Sequence, residues 1–197
     1  MDKKTTRKNQ IIDASINVMY LKGYNGTSVK DITDAAGIPK GSFYNYFKDK
    51  EHYAVDAINY YFSELVNGYI SKLRNQDLDS LDRIREFFSC GIFWLDQQDI
   101  TLGCFVGNMT QEMGNNSKLI SEVTAKIHSE LESMIYENLV EAHANKVLKT
   151  ELNLKTLASF ILSSWQGSIL RMKETYDRKM LDVFYTVVSE GLLKKVF

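Results

Sequence analysis

TSVKDITDAAGIPKGSFYNYFKDKE, residues 27–51, contains two short helical patterns separated by a break. Thr27 or Ser28 is placed to cap the first, and Ser28 with Asp31 resembles a capping box built with the shorter acid. Val29, Ile32 and Ala36 supply its buried stripe, and Gly37 ends it. Pro39, the one proline of the chain, stands where the next helix begins, which suits an N1 position. Phe43 and Phe47, four apart, turn that helix inward. Two short helices joined by Ala36-Gly37-Ile38-Pro39 form a helix-turn-helix pattern over about 28–47. Its second helix is the candidate reader of a DNA major groove.

Three chemical details point the same way. The polar face of that helix carries Lys40, Gly41, Ser42, Tyr44 and Asn45, a mixture that fits base edges and phosphates better than the Glu and Lys pairs of a solvated face. Gly41 weakens a helix, so its presence in a short one asks for a reason, and close backbone approach to DNA is one. Lys50 opens the next helix, where a cation opposes the macrodipole; facing a phosphate removes that conflict. Charge is also segregated. Residues 1–50 hold nine Lys/Arg and five Asp, a net of +4, inside a chain of net charge −1. The remaining residues sum to −5. A basic head therefore precedes an acidic body.

Outward from this core the helical period persists. Ile12, Ile16 and Met19 mark a first helix from about Thr5 to Lys22, stopped by Gly23, with Asn25-Gly26 as a turn. Beyond Lys50 the spacing predicts long helices at roughly 50–74, 79–97, 103–114, 117–146, 153–175 and 178–195. Short polar loops at Gln76–Asp79, Gln98–Thr101 and Leu148–Asn153 suit antiparallel connections. Strand alternation is absent and proline is scarce, so the chain reads as all-α. The expected division is a DNA-binding domain over 1–50 and a larger helical effector-binding and dimerisation domain over 51–197.

Several function classes have no foothold. No signal-peptide core follows the basic N-terminus, and no apolar stretch approaches bilayer length. Cys90 and Cys104 lack CxxC spacing, which fits free thiols in a soluble cytoplasmic protein. His52, His128 and His143 show no metal-ligand spacing, and no Walker, GxGxxG or GxSxG motif is present. No enzyme activity, metal or cofactor is expected.

The residues from Ile11 through Gly23-Tyr24, Thr27-Ser28-Val29, Asp31-Ile32, Ala35-Ala36-Gly37-Ile38 and Lys40-Gly41-Ser42-Phe43-Tyr44 to Tyr46-Phe47-Lys48-Asp49-Lys50-Glu51 resemble the DNA-binding domain of TetR-type transcriptional regulators. Pro39 stands where that family more often has Ser, and Asn45 where His or Tyr is frequent. The resemblance implies that Lys40, Gly41, Ser42 and Tyr44 approach bases or phosphates. It implies that Asn45, Tyr46 and Lys50 mainly hold phosphates, and that Thr27 and Ser28 bring the second helix's N-terminus to the DNA backbone. The blander reading makes Tyr44 and Tyr46 packing aromatics and the lysines a solvated face.

In proteins of this kind the last two long helices form a four-helix dimer interface. Small residues Ser163, Ser164, Gly167 and Ser168 in an otherwise apolar helix are compatible with close approach of a twin, and so is a fully buried core helix. A two-fold dimer presents reading heads about 34–36 Å apart and implies a near-palindromic double-stranded operator. The middle of the chain is rich in large apolar groups, among which Asn108, Gln111 and Gln166 are amides needing partners. Such a mixture is the composition of a ligand pocket as well as of an ordinary core. The candidate effector-pocket set is Phe93, Trp94, Cys104, Phe105, Asn108, Met109, Met134, Trp165 and Gln166. Gly103 to Asn108 is also similar to a segment near the effector pocket in one branch of these regulators. Cys90 is assigned to the core.

The reading is a homodimeric repressor released by a small apolar or aromatic effector that displaces the long helix from Lys50 to about Leu73. One alternative is a repressor that senses oxidants or electrophiles through Cys104. Another is a helical ligand-binding or enzymatic protein with a vestigial helix-turn-helix.

Overall fold

A computed structural model describes residues 3–98 and 102–195. These residues form two compact units, one of residues up to Leu65 together with Phe105–Lys126, the other of Val66–Cys104 with Ile127 onward. Among the described residues there is no β-strand, only an isolated bridge between Leu148 and Lys195.

The first unit begins with α1 (Lys3–Lys22), which buries Ile11, Ile12, Ile16, Met19 and Tyr20 along one stripe. Helix α2 (Val29–Ala35) starts on the capping box that its sequence announces. Asp31 N–H donates to Ser28 Oγ at 3.1 Å, and Ser28 N–H returns to Asp31 Oδ2 at 2.8 Å. Gly37, at φ +63, takes the left-handed conformation that lets the chain leave α2. Helix α3 is only Lys40–Phe43, continued by turns to Phe47. Pro39 is its N-cap rather than N1: the ring sets φ at −61°, but ψ at 142° is extended, so the helix starts one residue later. Asp49 caps α4 (Lys50–Tyr60), accepting from His52 N–H at 2.9 Å.

Aromatic packing closes this unit. The Phe43, Phe47 and Tyr53 rings lie 5.0 to 6.1 Å apart, and all three are buried. Burying each such side chain contributes about 1.5–3 kcal/mol. The Tyr53 hydroxyl, 2.8 Å from Ser15 Oγ, satisfies its polar end. Helix α7 (Phe105–Met113) and the start of α8 (Lys118–Ala144) belong to the same unit. Phe105 meets the rings of Tyr20 and Tyr61 at 5.3 and 5.6 Å.

The helix expected over 50–74 is not continuous. After Tyr60 the ladder widens to a π-helical turn at Tyr61–Leu65, and Val66 leaves the helix at φ −106°, ψ −3°. A short α5 (Asn67–Ile70) and a 3₁₀ turn (Ser71–Arg74) follow. Val66, Asn67 and Gly68 are consecutive weak helix formers, which is where the ladder gives way.

In the second unit α6 (Ser80–Asp96), α9 (Leu154–Thr175) and α10 (Lys179–Thr186) share an aromatic core. Phe88, Trp165 and Phe184 lie 4.8 to 5.4 Å from one another. The helix expected to run to 195 ends its α-helical ladder at Thr186 and continues as a π-helical segment, Val187–Leu192. The loop expected at Gln98–Thr101 lies mostly outside the described residues. No described helix is long and apolar enough to cross a membrane.

One polar group in this unit has no apolar substitute. Arg83 is buried, with Nε donating to the carbonyls of Asn75 and Leu78 at 2.7 and 3.0 Å. Its Nη1 reaches Glu141 at 2.7 Å and Asn138 at 3.3 Å, and Nη2 reaches Gln76 at 3.1 Å. Asn138 in turn donates to Leu73 O at 3.0 Å and Met134 O at 2.8 Å. The planar fork thereby holds the 74–79 connection against α6 and α8.

Candidate nucleic-acid interface

Helix α3 is held by its two phenylalanines and turns its other side outward. Lys40, Gly41, Tyr44 and Asn45 are exposed, while Ser42 and Tyr46 are half-buried. Tyr44 keeps 55 % of its surface in water although its ring rests edge-on against Phe43 at 5.3 Å. A Cβ added to Gly41 meets nothing within 4 Å, so nothing in the packing of the chain requires a glycine there. The sequence-derived candidates on α3 therefore form one accessible face.

The cations of the first unit fall into two classes. Lys8 pairs with Asp56 at 2.5 Å, Lys22 with Asp31 at 2.6 Å and Lys30 with Asp34 at 2.5 Å. Lys22, with Ser28, holds the Asp31 carboxyl well below the usual carboxylate range. Lys50 is also engaged. Its ammonium donates to the carbonyls of Tyr24 and Thr27, both at 2.8 Å, and burial pulls it below the ordinary lysine value. Its conflict with the α4 dipole is met by these carbonyls, for which a phosphate would have to compete. Lys3, Lys4, Lys40 and Lys48 are exposed and form no ion pair within 4 Å among the described residues, although the charge of Lys48 helps to lower the pKa of Asp49. Lys48 is a cation that the α3 pattern passes over, and its exposure shows only in the structure.

Thr27 and Ser28 also part company. Thr27 is buried and its hydroxyl donates to Gly23 O at 2.7 Å, whereas Ser28 is exposed at the cap of α2.

Residues 11–56 match the description "Bacterial regulatory proteins, tetR family", and residues 80–188 match "Tetracyclin repressor-like, C-terminal domain". The chain belongs to the TetR family of bacterial transcriptional regulators. It is 33 % identical to the HTH-type transcriptional repressor DhaR of Mycobacterium sp. (strain GP1), over 96 % of this chain and 94 % of that one. It is 31 % identical to the transcriptional regulator AcuR of Cereibacter sphaeroides, over 83 % of this chain and 74 % of that one. A crystal structure of regulatory protein TetR from Rhodobacter sphaeroides superposes with a TM-score of 0.84 at 26 % identity, covering 95 % of this chain and 97 % of that one. TetR-family members are DNA-binding regulators and not enzymes, so the enzymatic alternative falls.

The nine residues proposed for an effector pocket divide between the two units. Phe105, Asn108 and Met109 belong to the first unit, and Phe105 and Met109 are fully buried there. Phe93, Trp94, Cys104, Met134, Trp165 and Gln166 belong to the second. Phe93 is set apart from them: it is 66 % exposed and lines a surface groove of about 320 Å³ with Asp96, Arg178 and Tyr185. Lying five residues after Phe88 and two before Leu95, it falls off the buried stripe of α6. Met134 and Trp165 are buried, and Trp94 and Gln166 half-buried. Cys90, assigned to the core, is half-buried beside Glu86, which with burial pushes its thiol pKa up.

Cys104 has a neighbour that its sequence surroundings conceal. A Cβ at the adjacent Gly103 would lie 2.5 Å from Lys173 Cδ. Burial pulls the Lys173 ammonium below its ordinary value, and its electrostatic interaction with Cys104 opposes that pull.

Proposed function

We infer that this TetR-family chain is a repressor that reads a near-palindromic operator as a homodimer and is released by a small apolar or aromatic effector. The observation that carries the reading is the outward face of α3, where Lys40, Gly41, Tyr44 and Asn45 stand exposed on a buried Phe43–Phe47 foundation. On that face Lys40, Ser42 and Tyr44 reach bases or phosphates, and Gly41 lets the backbone come close. Asn45, Tyr46 and the exposed Lys48 hold phosphates, and Ser28 brings the N-terminus of α2 to the DNA backbone. The name repressor rests on the likeness to DhaR, whose own name carries it.

A twin subunit fits the outer side of α9 and α10. Phe160, Val183 and Val187 are about half exposed there and line a groove with Ser164 and Ser168. Gly167 opens onto empty space beside them. For the effector, Trp94, Met134, Trp165 and Gln166 of the second unit have the composition of a pocket lining, apolar and aromatic side chains with one amide.

Selection of bound DNA from the region upstream of the gene, followed by titration at several salt concentrations, tests the reading. Binding should weaken steeply with salt and be lost in Lys40→Ala and Tyr44→Ala. If both variants bind as the parent does, α3 is not the reader. A small-molecule screen for release of the selected DNA then identifies the effector class.

The nearness of Lys173 to Gly103, the residue before Cys104, favours a second reading in which an electrophile or oxidant acts on that thiol, because a nearby cation stabilises a thiolate. Cys104→Ser separates the two. It abolishes the response if the thiol is the sensor and leaves release nearly intact if a pocket is.

A further inference from the structure

The turn between α1 and α2 is held from outside the helix-turn-helix. Glu112, on α7, accepts from the backbone N–H groups of Tyr24 and Asn25, both at 2.7 Å. Lys50 takes the carbonyls of Tyr24 and Thr27 in the same turn. Thr27 closes it with its hydroxyl on Gly23 O and its N–H on Tyr24 O at 3.3 Å. Between them an acid and a cation grip a five-residue segment through its backbone, and the next residue, Ser28, is the cap of α2.

Gly23 is shaped for this grip. Its φ of +72° is one requirement, and the second is space: a Cβ there would lie 2.6 Å from Glu112 Oε2. The carboxylate end is ordinarily free to step aside, but here two amide hydrogens fix it. A second tie lies five residues on. Ser117, whose Oγ accepts from Ile120 N–H at 3.0 Å at the start of α8, donates to the Glu51 carboxylate in the first turn of α4. The α7–α8 corner therefore touches the head at α4 as well as at the α1–α2 turn.

We propose that Glu112 is a positioning residue for operator binding: it sets the angle at which α2, and α3 packed on it, meet the DNA. The proposal rests on the assignment of α2 and α3 as the DNA-reading elements. It makes a prediction opposite in sign to simple electrostatics. Removing an acid from a unit that binds a polyanion strengthens binding by charge alone; loss of the grip weakens it.

Glu112→Ala and Glu112→Gln are compared with the parent in operator titrations over a range of salt, with amide hydrogen exchange on the same samples. Expected in Glu112→Ala is a fall in operator affinity of about tenfold. The slope against salt should be unchanged, because no phosphate-binding cation is lost. The amides of Tyr24 and Asn25 should exchange at least about tenfold faster while those in the centre of α1 keep their protection. Glu112→Gln, which keeps the shape and one acceptor oxygen, should fall between; it carries the test if the alanine variant does not fold. Gly23→Ala should cost less affinity in the Glu112→Ala background than in the parent, since the clash is gone.

Affinity unchanged or increased in Glu112→Ala overturns the proposal. Weakened binding with Tyr24 and Asn25 still protected overturns it as well, because the effect then does not pass through the turn. Independent, multiplicative losses from Gly23→Ala and Glu112→Ala have the same consequence. Parent protein that retains no DNA from the selection removes the reading-head assignment itself, an outcome visible before any variant is made.

Discussion

The ammonium of Lys50 sits 4.2 Å from the centroid of the Tyr24 ring and 2.8 Å from the carbonyl oxygen of the same residue. One cation thus serves ring and backbone of a single residue. The relationship separates two lysines that look alike in the sequence, Lys40 and Lys50.

Lys50→Met should therefore lower the stability of the first unit by about 1–2 kcal/mol, through two lost carbonyl contacts and the ring contact. Operator affinity falls with it, but the slope of log affinity against log salt keeps its parental value. Lys40→Ala should leave stability within about 0.5 kcal/mol of the parent and reduce that slope by about 1. Denaturant melts and salt titrations on the two variants check the contrast; a reduced slope in Lys50→Met would show that its ammonium reaches DNA.

Gly41 faces open space, so Gly41→Ala should raise stability by about 0.5–1 kcal/mol through helix propensity. The same methyl stands where DNA backbone or bases must approach, so operator affinity should drop. A variant that melts higher and binds more weakly carries the signature of a functional glycine; tighter or equal binding would remove that role.

Burial pushes Tyr53 up to about 12, against the opposing effect of its hydrogen bond with Ser15. A phenol whose folded pKa is raised contributes stability that is whole below the ordinary tyrosine value near 10 and is lost as pH rises through the folded value. The first unit should lose on the order of 2 kcal/mol between about pH 10 and pH 12. Tyr53→Phe should reduce that loss, leaving the part owed to Tyr60, also raised to about 12, and should cost no more than about 1 kcal/mol at neutral pH because Ser15 keeps its bond to Ile11 O. Thermal melts of both proteins across this range provide the measurement.

Arg83→Ala should be among the most damaging single changes in the second unit, costing about 3–5 kcal/mol, since it strands carbonyls and a buried amide together. Arg83→Lys should recover only part of this, because one ammonium cannot reproduce the fork. Chemical denaturation of the second unit ranks the three proteins.

Val187→Arg and Phe160→Arg place charge on apolar sites where about half of each side chain already faces water. Each should leave the helical content intact, convert a dimer to a monomer in sedimentation, and weaken operator binding by removing the second head. A parent protein that sediments as a monomer, or variants that remain dimeric, would place the interface elsewhere.

Much of the reading head was legible because its signals are local. Ser28 and Asp31 are three apart and build the capping box that their spacing announces. Phe43 and Phe47 are four apart and share one buried side. Gly37 takes the positive φ that a helix stop needs. The long helices were legible in extent but not in continuity: periodicity marks Tyr53, Ala57 and Tyr61 as one stripe and is blind to the π-helical turn that follows. Effector candidates were the least legible. Phe93 has the same composition signal as Trp165, and only the rotation of α6 sends one outward while α9 buries the other.

Family, all-α class, the helix-turn-helix and its outward polar face were determined by the sequence alone, since each depends on residues within one or two helical turns of each other. The tertiary structure decided which charges are available and which are occupied. Lys50 and Lys40 differ because Tyr24 and Thr27, twenty-six and twenty-three residues before Lys50, each bring it a carbonyl. Glu112 acts on a turn eighty-eight residues away, and Lys173 stands beside Cys104 across a comparable gap. Charge–charge and charge–dipole contacts act through space over a few ångströms, and the chain separation that precedes them leaves no periodic trace to read.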